Sequence, residues 1–369
     1  MNYLYHLYIE FLTKYGIPKL FGDITFYVLP FCLSAAVLML VVLFLVLFER
    51  KLLGWLTQRK GPNRVGIWGV LQTLADALKL LLKENVTPDK VDKFLFNLAP
   101  ILVFIPAMTV FCIIPFSAEY TFVNTSTNVI LYLVLVAFPM LSLFLGGWAS
   151  NNKYALMGAA RGIAQILSYE IPMTFVVLSV VTLAASMNMT GITLAQYSRN
   201  GLLGWFFIPC IIGFLIMFIC VLAELNRCPF DLPEAESELI CGYNTEYSGM
   251  RFALFYLSEY TLLFVNSLFM SIMFFGGYLS PFGVYLSQLL FGDTHLGTVL
   301  VYFEQAFWLC LKAFMIIFVI IWIRATLPRL ASFDLLKFSW TILIPLAIFN
   351  LFIAVFIKYT MGGALCGLS

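Results

Sequence analysis

Charged residues are scarce in this sequence. Only 11% of its 369 residues are Asp, Glu, Lys or Arg, and 62% are hydrophobic, whereas a typical soluble domain carries about 25% charged residues. A soluble fold of this length could not cover so much apolar side-chain surface with polar groups. The mean hydropathy of +0.97 therefore excludes the soluble classes and indicates a chain that is solvated by lipid.

Residues that usually hold redox metals are also few. The two histidines, His6 and His295, lie outside the long apolar runs, which argues against a haem-carrying membrane cytochrome because that class needs intramembrane axial ligands. The eight cysteines include no CxxC pair or other cluster spacing, which argues against an iron–sulfur cluster. The sequence also offers no catalytic triad, phosphate-binding glycine loop or metal-ligand spacing. We expect a chain without a metal centre of its own.

The sequence does contain a series of almost uncharged runs of membrane-spanning length. About 20 apolar residues cross a bilayer as a helix, and no run shows the alternating polarity of a transmembrane β-barrel strand. Eight such runs occur: residues 24–48, 94–118, 129–147, 162–183, 201–223, 252–277, 307–323 and 339–357. The predicted fold class is therefore an all-α integral membrane protein, a single bundle of about eight transmembrane helices.

The distribution of Lys and Arg predicts the orientation of this bundle. Sixteen of these residues fall in the loops on one side of the spans, and four fall on the other side. Cytoplasmic loops carry the excess of positive charge, so the longer charged loops face the cytoplasm (or matrix) and residues 1–23 form an external segment. Without a transit-peptide pattern, we expect a bacterial inner (plasma) membrane rather than a mitochondrial inner membrane.

The first cytoplasmic loop, residues 49–93, is predicted to contain a helix over residues 66–84. Gln72, Asp76, Lys79 and Lys83 recur at 4-3-4 spacing and form one polar stripe between apolar faces. Such a pattern is typical of an amphipathic helix on the membrane surface. A short helix packed on the cytoplasmic face of the bundle would show the same pattern, and both alternatives stay open.

A second cytoplasmic loop, residues 224–250, is strongly acidic. It places six carboxylates within 23 residues, relieved only by Arg227: Glu224, Asp231, Glu234, Glu236, Glu238 and Glu246. Acidic loops are usually solvated surface, but this one also contains Phe230, Leu232 and Tyr243. The mixture of carboxylates and bulky apolar side chains favours a loop that packs into the protein.

Two further carboxylates lie inside predicted spans. Glu170 and Glu259 are each surrounded by apolar residues, and ionisable groups within a membrane are costly enough to suggest a function. They can form part of a proton path, or they can be structural partners of Lys312, Arg161, Arg251 or another subunit. Composition alone leaves both interpretations open, and a stand-alone proton-coupled transporter fits it equally well.

The loops carry a specific resemblance beyond composition. The segments that carry it are residues 49–54 (ERKLLG), 59–66 (RKGPNRVG), 147–156 (GWASNNKYAL), 168–170 (SYE), 223–239 (AELNRCPFDLPEAESEL), 246–249 (EYSG) and 322–329 (WIRATLPR). In this order they resemble the quinone-proximal membrane subunit of respiratory complex I, the proton-pumping NADH:quinone oxidoreductase. Bacterial members of that family are called the H subunit or subunit 8, and the likeness extends over about residues 26–360.

The resemblance implies roles for residues that composition leaves unassigned. The chain would form the wall and entrance of a quinone tunnel, near which lie Arg50, Arg59, Arg227, Phe230 and Arg324. An acidic path coupling quinone reduction to proton translocation would run through Glu170, Glu224, Asp231, Glu234, Glu236, Glu238, Glu246 and Glu259. No residue of the chain itself would be catalytic.

The resemblance also implies cofactors and partners. The chain would bind no redox cofactor and no nucleic acid, while flavin mononucleotide and the iron–sulfur clusters would lie in partner subunits. Those partners would be the quinone-site subunits of the hydrophilic arm together with small membrane subunits and antiporter-like subunits. Related subunits occur in membrane-bound hydrogenases and in dehydrogenases that use cofactor F420, and these remain alternatives from another enzyme class.

Overall fold

The computed structural model describes residues 19–119, 121–197, 201–234, 236–291 and 295–361, and its regular elements over these ranges are helical. Most of the predicted external segment, including His6, lies outside the described residues. The α-helices in chain order are α1 (Lys19–Leu56), α2 (Gln72–Leu82), α3 (Lys93–Ile113), α4 (Asn128–Ala149), α5 (Lys153–Ala184), α6 (Met189–Ala195), α7 (Ile211–Glu224), α8 (Glu236–Leu239), α9 (Gly249–Phe274), α10 (Leu286–Phe291), α11 (His295–Thr326), α12 (Ser332–Phe338) and α13 (Ile344–Met361).

Seven segments among the described residues are long and apolar enough to cross a membrane. They are α1, α3, α4, α5, α9, α11 and the joined α12–α13 pair. The remaining predicted span, residues 201–223, differs from the expectation because its α-helix begins only at Ile211. Pro209 removes a backbone donor and restricts the residue before it, which delays the start of the helix. The result is an all-α membrane protein with one shortened helix.

The irregular stretch before α7 is packed inside the protein. α7 has 14 residues, about 21 Å at the rise of an α-helix, which is less than the roughly 30 Å hydrocarbon core. The backbone N–H of Phe207 donates to the carbonyl of Phe274 at 3.0 Å. The side-chain oxygen of Gln196 accepts from the backbone N–H groups of Phe206 and Gly276 at 3.2 and 3.0 Å. Non-helical backbone at membrane depth is tolerated when protein groups satisfy it in this way.

α9 is the central helix of the bundle. It packs against α1, α3, α7 and α11, and its inner half from Leu262 to Phe274 is buried without interruption. The chain therefore supplies protein on all sides of this half of the helix. Glu259 lies in the other half and is partly buried.

The helix in the first cytoplasmic loop is shorter than residues 66–84. A 3-10 turn, Ile67–Gly69, precedes α2, and α2 packs on α1 and α9. Gln72 Nε2 donates to Asp76 Oδ1 at 3.1 Å, and Asp76 also pairs with Arg50. Trp68 and Leu82 remain largely exposed. Asp76 of the polar stripe thus contacts a basic residue of α1, whereas Lys79 and Lys83 are exposed.

Candidate functional site

Glu49 lies on the buried face of α1. Leu38, Val42, Leu45, Glu49 and Leu52 recur at 4-3-4-3 spacing, and all are at most 8% exposed. That spacing keeps them on one side of a helix. An ionised carboxylate at such a position needs close countercharges, because desolvation without them is very costly.

Two arginines from distant parts of the chain provide those countercharges. Arg227 Nη1 donates to Glu49 Oε2 at 2.7 Å, and Arg324 pairs with Glu49 Oε1. The side chain of Arg227 is 5% exposed, whereas that of Arg324 is 41% exposed. We call Glu49, Arg227 and Arg324 the buried cluster. It joins α1, the acidic loop and the C-terminal end of α11, and Arg324 forms its open side.

The guanidinium of Arg227 is also held by an aromatic ring. Its Cζ lies 4.8 Å from the centroid of Tyr260 on α9, a cation–π distance. Burial lowers the pKa of Arg227, but the adjacent Glu49 carboxylate, together with Tyr260 and Glu259, outweighs burial and leaves the pKa above its ordinary value. Arg227 therefore stays charged, and the acidic loop is anchored to the bundle by a permanent cation.

A second group of side chains joins the acidic loop to α9 through one phenol. The hydroxyl of Tyr243 lies 3.1 Å from Glu234 Oε1 and 3.0 Å from Glu259 Oε1. Asn244 Nδ2 donates to the same oxygen of Glu234 at 2.6 Å. A phenol carries one hydrogen, so both contacts of Tyr243 are hydrogen bonds only when one carboxyl group is protonated and donates to the phenol oxygen. We call Glu234, Tyr243 and Glu259 the carboxyl–phenol chain.

The electrostatic surroundings of Glu234 favour a protonated carboxyl. Burial raises the pKa of Glu234, the nearby Asp231 carboxylate raises it further, and the bonds from Tyr243 and Asn244 only partly offset this. Burial also raises the pKa of the Tyr243 hydroxyl, so the phenol keeps its hydrogen. A hydrogen bond between a protonated Glu234 carboxyl and the Tyr243 hydroxyl is therefore compatible with the surroundings of both groups.

A small internal cavity continues from this chain toward α7. It measures about 30 Å³, and its polar lining comes from Glu259, Tyr243, Asn226, Ser258 and Glu224. One water needs about 10–15 Å³ of such space, so the cavity has room for about two. Two carboxyl groups on neighbouring helices therefore open onto one volume that can hold a water bridge.

The far side of Glu224 is fixed by an amide and a second phenol. Asn266 Nδ2 donates to Glu224 Oε2 at 2.9 Å, and the Tyr132 hydroxyl donates to Asn266 Oδ1 at 2.6 Å. Tyr132 and Asn266 are fully buried. This arrangement determines which way the Asn266 amide points and holds the Glu224 carboxyl beside the cavity.

Glycines on α5 bring the acidic loop close enough to form these contacts. A Cβ at Gly158 would lie 2.8 Å from the Pro233 carbonyl oxygen, and one at Gly162 would lie 2.9 Å from Pro233 Cγ. Gln165, on the same helix, donates to the carbonyls of Ala223 and Phe230 at 2.7 and 2.8 Å. The Gly-x-x-x-Gly spacing therefore makes a smooth strip on which the loop rests.

Several predicted tunnel residues are separated from one another. Arg50 pairs with Asp76 on the exposed surface, and Arg59 is exposed. Phe230 is buried, with its ring edge against Tyr169 at a centroid distance of 5.5 Å. Arg227 and Arg324 of the predicted set meet at Glu49, and the backbone N–H of Phe230 donates to the carbonyl of Arg227 at 2.8 Å. The roles of all five remain predictions.

The predicted acidic path divides into an inner and an outer set. Glu224, Glu234 and Glu259 lie around the cavity and phenol, Asp231 acts on Glu234, and Glu170 lies close enough to Glu224 for the carboxyls to interact. The outer residues are Glu238, which pairs with Arg161 and Arg329 at 2.5 and 4.0 Å, and Glu246, which accepts from Asn152 at 2.8 Å. The side chain of Glu236 lies outside the described residues.

Sequence reasoning missed several residues of this site. Glu49, Tyr243, Asn244, Asn266 and Tyr132 were not among the candidates. The first four each contact a candidate, and Tyr132 contacts Asn266. The run before Glu49 is apolar on every side, so spacing alone did not reveal that Glu49 lies on the buried face. The other four are uncharged, and only their placement in the fold brings them to the carboxyl groups.

Comparison with known proteins gives one consistent result. A family model described as NADH dehydrogenase matches residues 29–355. A protein of Brevibacillus brevis, named as the H subunit of NADH-quinone oxidoreductase, is 42% identical over 342 residues, covering 92% of this chain and 96% of that protein. Proteins with the same name from Bacillus cytotoxicus and Bacillus mycoides are 42% and 43% identical over 314 residues, covering 85% of this chain and 88% of each relative.

Proposed function

Because this chain belongs to the NADH dehydrogenase family, as a membrane subunit of the H type, we propose that it couples quinone reduction to proton movement through its inner carboxyl groups. The contact that supports this most directly is the carboxyl–phenol chain. Glu234, Tyr243 and Glu259 hold a hydrogen that either carboxyl group can carry. No other donor or acceptor pair is needed to pass a proton between the acidic loop and α9.

The buried cluster is the part of the site that we assign to the quinone side. Arg324 is 41% exposed at the open side of the cluster, while Glu49 and Arg227 are sealed behind it. A quinone that takes up two electrons becomes basic, so a change of charge outside Arg324 acts on the Glu49 carboxylate through a low-dielectric interior. In this proposal the chain contributes one wall of the quinone site, and partner subunits complete it.

The inner carboxyl groups form the proposed route away from the quinone. Arg227 carries its charge next to Tyr260 on α9, one residue beyond Glu259. From Glu259 the cavity leads to Glu224, and Glu224 interacts with Glu170. Closely coupled carboxyl groups titrate as a set, so a charge change at one end alters proton occupancy at the other. Glu238 and Glu246 lie outside this route.

The proposal includes partners and location. The electrons would come from flavin and iron–sulfur clusters in partner subunits, since this chain is proposed to hold none. The antiporter-like subunits would receive the output of the carboxyl route, and the complex would lie in a bacterial inner membrane. The relatives' shared name, with quinone in it, supports this over the hydrogenase and F420 alternatives.

The test is Tyr243→Phe in the assembled complex, which removes one hydroxyl and keeps the ring. Quinone reductase activity and proton pumping should fall together, by about tenfold or more, because general acid–base steps contribute about 10²–10⁴-fold. Electron transfer to an artificial acceptor upstream of the quinone should persist. Glu259→Gln should have the same pattern.

Tyr247→Phe is the matched control. Tyr247 is also buried and packs its ring edge against Phe255, as Tyr243 does, but its hydroxyl has no hydrogen-bond partner among the described residues. Its loss should leave activity and pumping unchanged. Equal effects in both variants, or wild-type pumping in Tyr243→Phe, would refute the proton route. Solute transport by the isolated chain would instead support the transporter alternative.

A further inference from the structure

The helix that carries Glu170 contains a proline two residues further on. Pro172 lies inside α5 and has no backbone N–H, so the carbonyl of Ser168 loses the donor that an α-helix normally supplies. A carbonyl freed at membrane depth needs another protein donor, because lipid offers none. Glu170 lies midway between these two residues, and its backbone therefore belongs to a turn with a missing hydrogen bond.

The C-terminal part of the chain supplies the replacement. Ser339 Oγ donates to the Ser168 carbonyl oxygen at 2.5 Å, and both residues are buried. Ser339 has no exposed surface at all, so the bond is shielded from competition by water. The backbone interruption next to Glu170 is thus closed by a side chain that lies 171 positions away in the sequence.

Two further bonds join the same segments. Trp340 Nε1 donates to Ser168 Oγ at 3.2 Å, and the Tyr169 hydroxyl donates to the Leu335 carbonyl at 3.1 Å. Residues 168 and 169, which immediately precede Glu170, are therefore tied to α12 and to the turn that follows it. In contrast, Glu170 Oε1 has no hydrogen-bond partner among the described residues. The backbone contacts of residues 168 and 169 therefore determine the position of the turn that carries this carboxyl group.

The contacting segment has an unusual backbone. Ser339–Leu343 forms a π-helical turn between α12 and α13. Such turns are rare, and they occur most often at functional sites. Here the first two residues of the turn, Ser339 and Trp340, are the ones that reach Ser168. The irregular turn therefore coincides with the contact that completes α5.

We propose that Ser339 is a positioning residue, which replaces the backbone donor removed by Pro172 and thereby fixes the turn that carries Glu170. The charge of Glu170 acts on the buried Glu224 carboxyl, so a shift of this turn changes the electrostatic coupling between the two groups. Ser339 acts through the backbone of α5 and not by contact with quinone. This inference rests on the function proposed above for the inner carboxyl groups.

The experiment compares Ser339→Ala, Ser339→Thr and Thr341→Ala in the assembled complex. Ser339→Ala removes the donor, Ser339→Thr keeps the hydroxyl, and Thr341→Ala deletes an exposed hydroxyl of the same turn that bonds only within its own helix, to Lys337. The measurements are kcat and KM for quinone and the infrared carboxyl band of Glu170, identified by its loss in Glu170→Gln.

Ser339→Ala should lower kcat about three- to tenfold, the factor that one net hydrogen bond covers, with KM unchanged and the Glu170 band shifted. Ser339→Thr and Thr341→Ala should keep kcat within about twofold of wild type and leave the band in place. An unshifted band together with wild-type kcat in assembled Ser339→Ala would overturn the proposal.

A double variant covers the case in which Ser339→Ala does not assemble. In Ser339→Ala/Pro172→Ala, residue 172 regains a backbone N–H that can donate to the Ser168 carbonyl, so assembly should recover. A double variant as defective as the single one would overturn the proposal, since the missing donor would not be the cause. The underlying function is tested separately: unchanged activity and pumping in Glu170→Gln would refute the role of Glu170, while the band shift would still report its positioning.

Discussion

Two groups in this protein have the same composition and opposite surroundings. In the buried cluster, Glu49 lies between Arg227 and Arg324 and its side chain is 3% exposed. In the surface cluster, defined as Glu238 with Arg161 and Arg329, the glutamate side chain is 55% exposed. Both are one carboxylate shared by two guanidiniums. The comparison therefore shows how burial changes the contribution of such ion pairs to the stability of the protein.

The two groups differ in the free-energy cost of losing an arginine partner. Water can replace either arginine at Glu238, so exposed pairs contribute little net free energy. Water cannot reach Glu49, and removal of one partner would leave a buried charge without compensation. Both clusters join three separate segments of the chain, but only the buried cluster does so where water is excluded. Burial therefore makes the first group indispensable and leaves the second replaceable.

The largest effect should come from Glu49→Gln. The change leaves Arg227 and its guanidinium buried beside a neutral amide, and breaking a buried pair costs about 3–5 kcal/mol. We expect the complex to assemble poorly or to lose quinone reductase activity at a clearly lower temperature than wild type. Thermal inactivation of purified complex measures this. An inactivation temperature equal to that of wild type would show that Glu49 is as replaceable as Glu238, which would contradict this prediction.

An intermediate effect is expected from the pH dependence at Glu234. Its pKa in the folded protein is raised above the ordinary value of 4.5 by burial and by Asp231. The folded state then binds more protons than the unfolded state, so stability is lost as the pH rises from about 4.5 through the raised pKa. Glu234→Gln should remove this loss, worth about 1.4 kcal/mol for each unit of pKa difference. Inactivation temperatures from pH 4.5 to 8 test it, and parallel curves for the two proteins would contradict it.

The smallest effect should come from Glu238→Gln. The hydrogen bond and charge of Arg161 hold the pKa of Glu238 below its ordinary value. An acid with a lowered pKa contributes stability above its unfolded pKa of about 4.5, and that contribution disappears as the pH falls further. At neutral pH we expect no measurable change in stability, quinone reduction or pumping, because the side chain is solvated. A loss of pumping in this variant would move Glu238 back into the proton path.

The sequence predicted the class of fold well because lipid imposes a simple rule. Long apolar runs must become helices, and the described residues form seven long spanning segments and the shorter α7. The start of α7 was not predictable from hydropathy, since residues 201–210 are as apolar as a helix and only Pro209 marks the interruption. Packing against Phe274 decides their conformation, and that packing involves residues far away in the sequence.

The candidate site was predicted less completely, and the reasons differ between residues. Arg50 was assigned to the tunnel through the family resemblance, but Glu49 is one position earlier and about 100° away around the helix, on the buried face. The run from Ile24 to Phe48 is apolar on every side, so its pattern could not reveal which face is inside. Within the described part of the acidic loop, α8 has only four residues, too few to show a helical period. Glu234 and Glu238 are only four residues apart. Glu234 is partly buried and Glu238 is exposed because Pro233 docks on α5.

The close approach of Pro233 to α5 predicts different genetic suppressors for substitutions at Gly158 and Gly162. The space that a Cβ at Gly162 would need is occupied by a side-chain atom, Pro233 Cγ. The space that a Cβ at Gly158 would need is occupied by backbone atoms of Pro233 and Gly242. Growth defects caused by Gly162→Ala should therefore have second-site suppressors, such as Pro233→Ala, that shorten the opposing ring. Gly158→Ala should yield none at the residues it meets, because no substitution removes a carbonyl oxygen or a Cα. A reversion screen that returned suppressors equally for both glycines would contradict this asymmetry.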